Sequence, residues 1–181
     1  MSTVWGEEEQ NQAVVVLNRI RESLQNKSLP RKVYEAHLLT FKKISTEAVL
    51  MNSKGEIYLA QRPDRIKEPN EPFPGQWHTP GVTHLLDEYL EDTFQRLIKR
   101  ELGSDVWLDM PIAVGNFDYN DACRGMYQLR VYLIRIDGLP KGDTRGRFFK
   151  VKEIESLDLV EAHRDIVIPM ALVKAKSLGW I

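Results

Sequence analysis

Residues 75–103 read GQWHTPGVTHLLDEYLEDTFQRLIKRELG, and the order of signals inside this stretch decides how the whole chain folds. After Trp77 the sequence is extended in character. From 88 to 102, apolar Leu90, Phe94, Leu97 and Ile98 recur at helical spacing, which predicts one helix, and Gly103 supplies its C-terminal stop. An extended entry, a tight Pro80-Gly81 step and a helix make one strand-loop-helix unit around which the remaining elements are placed.

Upstream, 62–76 (RPDRIKEPNEPFPGQ) carries four prolines and one glycine in fifteen positions, too broken for a regular element and too long for a simple turn. Loops of that kind often carry function. Before it, β-rich runs at 46–51 and 56–61 flank Asn52-Ser53-Lys54-Gly55, whose Asn and Gly suit positive φ, so a hairpin is expected. Earlier still, Ala13, Val16, Leu17, Ile20 and Leu24 mark an amphipathic helix over 7–25, and Val33, His37 or Leu38, Phe41 and Ile44 mark a second helical pattern. Downstream, strands are expected at 106–117 and 126–136, the latter alternating through Tyr127, Leu129, Val131 and Leu133. A turn at 138–142, a short strand at 147–151 and a helix over 160–178 with Ile166, Ile168, Met170, Leu172 and Val173 complete the order. This pattern predicts an α/β (α+β) domain around one mixed sheet, 45–181, preceded by a helical extension, 1–44, which either covers the sheet or forms a homodimer contact.

Composition narrows the function. The 181 residues are 43% hydrophobic, enough for a real core, and Lys+Arg 25 against Asp+Glu 26 leaves a net charge of -1. No chain-wide basic field exists to gather nucleic acid or anionic membrane, so any phosphate binding is local. The single cysteine, Cys123, excludes an intrachain disulfide framework and multi-cysteine zinc. An acidic opening, MSTVWGEEEQNQ, and apolar runs short of the roughly 20 residues that span a bilayer point to a soluble, cytoplasmic protein.

The 75–103 stretch resembles the Nudix box, which runs G, five residues, E, seven residues, R-E-U-x-E-E-x-G-U, with U a bulky aliphatic residue. Glu88, Arg96, Ile98, Glu101 and Gly103 match, and Trp77 with Pro80-Gly81 matches the usual lead-in. Val82, Leu97, Arg100 and Ser104 depart from it. The resemblance implies the Nudix α/β/α sandwich, in which box glutamates hold the Mg²⁺ that neutralises a diphosphate while water attacks. Here the bracing pair Glu88 and Arg96 is kept, the metal face keeps only Glu101, and Arg100 brings a positive charge that opposes a second or third ion.

Within the family, the GDP-mannose mannosyl hydrolases lose glutamates in the same way, and Thr93-Phe94-Gln95-Arg96-Leu97 with Glu101-Leu102-Gly103 is close to their segment. That likeness implies a single Mg²⁺ held by the Gly81 carbonyl and Glu101, and Arg62 at the diphosphate leaving group. Thr83 and the pair Thr144-Arg145 stand where that branch has an arginine and a Gln-His pair, so its histidine base is missing, and His78 and His84 are the candidates left. The isopentenyl diphosphate isomerase branch fits less well, since Val82, Gln128 and Arg130 replace its cysteine and Glu-x-Glu.

Independently of any family, Arg62, Arg65 and Lys67 form a basic group suited to a diphosphate, because guanidinium grips two oxygens at once. Asp118, Asn120, Asp121 and Asp143, read as loop residues, are candidates to complete a one-metal oxygen site. Phe73, Trp77, Phe117 and Tyr119 either stack on a base or seal a core edge. The expectation is a Mg²⁺-dependent hydrolase of a nucleoside diphosphate linked to another moiety, such as a nucleotide sugar. The alternative is an inactive Nudix-fold module that binds a nucleotide or a partner.

Overall fold

Asn52 closes the first turn of the sheet. Its backbone N–H donates to the Glu56 carbonyl at 3.0 Å, its side-chain oxygen accepts from the N–H groups of Lys54 and Glu56, and Gly55 takes φ 73°. The flanking strands are β1, Lys43–Met51, and β2, Ile57–Gln61. The computed structural model describes residues 5–25, 29–85, 88–103, 106–122, 124–141 and 145–181. Ser104, Cys123, Gly142, Asp143 and Thr144, all of which enter the sequence reading, lie outside them.

The chain separates into two compact units, 1–41 and 42–181. The first holds α1, Glu7–Gln25, and α2, Arg31–Thr40. Val16 and Leu17, expected on the apolar stripe of α1, stand exposed. The second helical pattern stops short of Ile44, which belongs to β1 instead, where it pairs with Gln128 of the parallel neighbouring strand.

In the second unit, β1 is the spine of a mixed sheet. It runs parallel to β7, Gly125–Asp137, from Lys43 opposite Tyr127 to Met51 opposite Arg135. On its other side it pairs antiparallel with β4, Gly81–Thr83, across residues 45–47 and with β2 at Met51. The hairpin therefore opens soon after its turn, and β2 finds other neighbours in β3, Trp77–His78, and β8, Arg145–Phe149. Short β5, Trp107–Leu108, and long β6, Ile112–Asp121, flank β7. The run expected at 106–117 is thus two strands. Asp118, Asn120 and Asp121, expected in loops, lie in β6 because its ladder with β7 continues to Asp121 opposite Gly125.

Both faces of the sheet are covered. Alternate β1 residues Val49 and Met51 join Leu129, Val131 and Leu133 under α5, Ile168–Ser177, while Ala48 and Leu50 join Ile134 and Ile136 under Leu97 and Leu102. α5 packs through Ile168, Ala171 and Ala175, and Met170 and Val173, expected on its apolar face, are exposed. The strand expected at 147–151 ends at Phe149, and Val151–Ile154 forms a short helix, α4. Among the described residues no helix is long and apolar enough to cross a membrane.

Two helices contain a widened turn where the periodicity predicted plain α-helix. The central one is α3, Leu90–Leu97, followed by a π-helical turn, Ile98–Leu102, closed where the Gly103 N–H reaches back to the Ile98 carbonyl at 2.9 Å. Gly103 has φ 78°, a conformation that other residues adopt at a cost. The second π turn, His163–Val167, precedes α5. Pro169 sits at the start of α5 with no N–H to give, and its ring crowds the carbonyl four residues earlier, which the wider turn relieves.

Leu97 is 1% exposed and anchors α3 to the sheet. Leu97→Ala is expected to cost about 2–5 kcal/mol, read by urea denaturation followed by circular dichroism.

Candidate functional site

Arg96 ties the box segment together. Its Nε and Nη2 each donate to a different oxygen of Glu88 at 2.7 Å, and Nη2 also donates to the Thr83 carbonyl at 2.7 Å. Glu88 stands just before α3, where it also accepts from the Leu85 N–H and the Thr93 hydroxyl. The Arg96 hydrogen bonds hold the Glu88 carboxyl down at about 2. One guanidinium thus locks the end of β4, the loop after it and the helix into one body.

Behind this brace lies a buried polar cluster that sequence reading did not find. Glu47 of β1 is opposite Gly81 of β4, and its carboxyl packs so closely that a Cβ on Gly81 would fall 2.1 Å from Oε2. Gly81 is a glycine here to admit that carboxyl, since its φ is not in the left-handed region. The Ser45 hydroxyl donates to Glu47 Oε1 at 2.6 Å, and His163 Nε2 lies 4.0 Å from Oε2, too far for a hydrogen bond. Burial is the main cause that pushes the Glu47 carboxyl up to about 7.

The hydrogen-bond pattern assigns the protons of the two neighbouring histidines. The Thr79 N–H donates to His163 Nδ1 at 3.3 Å, so the His163 proton is on Nε2, toward Glu47. His78 Nδ1 is 2.8 Å from the Thr79 carbonyl and therefore carries the proton and donates. Both rings are buried and 5.9 Å apart. Burial lowers His78 to about 4 and His163 well below its ordinary value, so both are neutral near pH 7.

A cavity of about 420 Å³ opens between the proline-rich loop and the π turn that follows α3. Arg62, Lys67, His78, Arg100, Glu101 and Arg145 all line it. Glu101 is 5% exposed, and its Oε1 lies 3.2 Å from Arg100 Nε. Arg62 gains a partner that the sequence did not reveal. Buried Glu71, from the same loop, accepts from its Nε at 3.0 Å and its Nη2 at 2.8 Å, because a carboxylate taken out of water needs a cation. Arg124 pairs with Asp121 at 2.9 Å and stacks against Phe73 at 4.7 Å, which pins the loop to the β6–β7 hairpin.

Not every candidate converges on the cavity. Arg65 is exposed outside its lining. His84 is also outside it, with Nε2 2.7 Å from the Thr46 hydroxyl. Asp118 pairs with Lys42 at 2.6 Å and Asp121 with Arg124, so neither offers a free oxygen set. The aromatic residues seal core edges. Trp77 packs edge-on to Phe149 at 4.9 Å, and Phe117 and Tyr119 pack on the same cluster. The signal for Glu47 was present as the lone acid of the strand run 46–51, whereas Glu71 carried none beyond its charge.

The donor set sets a limit on metal chemistry. Leu97 is in the core, Arg100 is a cation, and among the described residues no three His, Cys, Asp or Glu side chains gather to hold an ion by themselves. Mg²⁺ is commonly held by one or two carboxylates with the rest of its shell from water and substrate phosphates. Glu101 therefore suits one ion shared with a phosphate ligand, and a protein-only multi-metal cage does not fit.

No protein-family model matches the chain. Among solved structures, a NUDIX hydrolase from Nitrosomonas europaea is 14% identical and aligns at a TM-score of 0.56 over 77% of this chain and 90% of its own. A MutT protein from Methanosarcina mazei Go1 is 20% identical at 0.53, over 74% and 95%. The NUDIX domain of Shewanella oneidensis NrtR, solved with ADP ribose, is 18% identical at 0.53, over 81% and 99%. The likeness at these identities is one of fold, and the chain has the mixed-sheet α/β architecture of those Nudix structures.

The raised Glu47 carboxyl makes stability depend on pH with a definite sign. The folded chain keeps that proton up to about pH 7 while the unfolded chain releases it near 4.5, so stability falls as pH rises through this window. Glu47→Gln removes the dependence. Thermal melts are expected to show the variant gaining on the wild type between about pH 5 and about pH 8, by up to about 3 kcal/mol. Parallel melting of the two proteins over that range would contradict the assignment.

Proposed function

We propose that the chain is a Nudix-type hydrolase of a nucleoside diphosphate linked to another moiety, with a nucleotide sugar as the preferred class. The observation that carries this reading is the cavity in which a buried box carboxylate, Glu101, meets Arg62, Lys67, Arg100 and Arg145 on a Nudix fold. Glu101, with the Gly81 carbonyl, would hold a single Mg²⁺ that arrives with the substrate. When bound, that ion supplies charge neutralisation on the diphosphate.

The chain's own groups do the rest. Lys67 brings an ammonium to the phosphate oxygens, and Arg62, fixed by Glu71, presents a guanidinium of set orientation rather than a mobile one. His78 is the histidine that faces the cavity, and with Nδ1 bound to Thr79 its Nε2 is left to accept the proton of the attacking water. The single-cysteine composition suits a cytoplasmic setting.

Phosphorus NMR of a panel of nucleotide sugars, nucleoside triphosphates and dinucleoside polyphosphates, with and without Mg²⁺, tests the reading. The wild type is expected to release a new phosphorus resonance from one class only when Mg²⁺ is present, and Glu101→Gln to lower that rate at least about 100-fold with its melting curve retained. Line broadening of a ligand with no new resonance would replace this reading by that of a binding module.

A further inference from the structure

Resting on the hydrolase reading for its ligand class, we propose that Arg100 binds the phosphoanhydride directly, so that ligand capture by this cavity does not require a divalent cation. Arg100 is on the wall of the cavity beside Glu101, and its side chain is 66% exposed. Its Nε lies 3.2 Å from Glu101 Oε1, and among the described residues its two terminal amino groups make no hydrogen bond to the protein. They form the planar fork that grips two oxygens of a phosphate.

Two further cations stand on the same cavity. Lys67 comes from the proline-rich loop and Arg145 from the start of β8, and among the described residues neither side chain has an ion-pair partner. Three positive groups from three separate elements meet at a space that also admits the Glu101 carboxylate. Charge arithmetic agrees with this. A glutamate at position 100 holding Mg²⁺ would present one net positive charge, and an arginine there presents the same charge with no ion. The adjacent Leu97 is in the core and contributes no such charge. Arg100 is itself far more exposed than Arg96 or Arg62, whose guanidinium groups are mostly covered and grip their carboxylates with two hydrogen bonds each, so its removal disturbs the fold less than theirs.

The test is calorimetric titration of inorganic pyrophosphate into the full chain in EDTA, repeated with Mg²⁺, for the wild type, Arg100→Ala, Arg100→Gln and Arg100→Glu. The wild type is expected to bind in EDTA, the Ala and Gln variants at least about tenfold more weakly, and the Glu variant only once Mg²⁺ is added. Wild-type binding that vanishes in EDTA and returns with Mg²⁺ would overturn the inference, as would Ala and Gln variants that bind like the wild type. Turnover with Mg²⁺ but no capture in EDTA removes this inference and leaves the hydrolase reading. Capture in EDTA without turnover does the reverse. No binding of pyrophosphate in either condition overturns this inference and leaves the hydrolase reading to the turnover assay.

Discussion

The Arg96 guanidinium is the interaction on which the site depends. Three hydrogen bonds from one side chain join Glu88, the Thr83 carbonyl and the body of α3, and none of these three is held to the others by sheet or helix bonding. A half-buried, bidentate ion pair of this kind is worth more than an exposed one, because its geometry is fixed and screening is reduced. Its effect reaches further than its own residues. By fixing the end of β4 against α3, it sets where the π turn delivers Arg100 and Glu101.

The second constraint is the accommodation of Glu47. A carboxyl inside a sheet is costly to charge, and the structure answers by admitting it against a residue without a Cβ and giving it a hydroxyl donor. Glu101 adds to the rise of the Glu47 carboxyl, which places the two acids within electrostatic reach of each other. The strand pair β1–β4 therefore does more than frame the site. It buries an acid next to the cavity in which Glu101 stands, with neutral His78 and His163 beside it.

What was legible in the sequence was whatever rests on local chemistry. The Asn52-to-Gly55 turn, the Gly103 stop and the apolar spacing of Leu90, Phe94 and Leu97 each act within a few residues, and each produces the element expected of it. The Glu88 and Arg96 pair was visible only through resemblance, since eight residues of separation across a loop carry no local signature. The π turns were hidden because a five-residue hydrogen bond leaves hydrophobic periodicity almost unchanged. Arg62 read as a free charge because Glu71, nine residues away in a loop without regular structure, captures it only after folding. Asp118 and Asp121 read as loop acids because Asp and Asn favour turns, and the β6–β7 ladder overrode that preference. Burial of Glu47 and His163 is likewise a tertiary fact, decided by the pairing of β1 with β4 and by the position of the last helix.

The central claim is that a phosphoanhydride ligand sits between the proline-rich loop and the π turn after α3. Backbone and arginine side-chain NMR of isotope-labelled protein titrated with ADP-ribose and Mg²⁺ tests it most directly. Saturable shifts are expected at the Arg100 Nε–H, at Glu101 and Gly81, and along 62–76, with β5 unmoved. Shifts confined to the far edge of the sheet at β5 would contradict it.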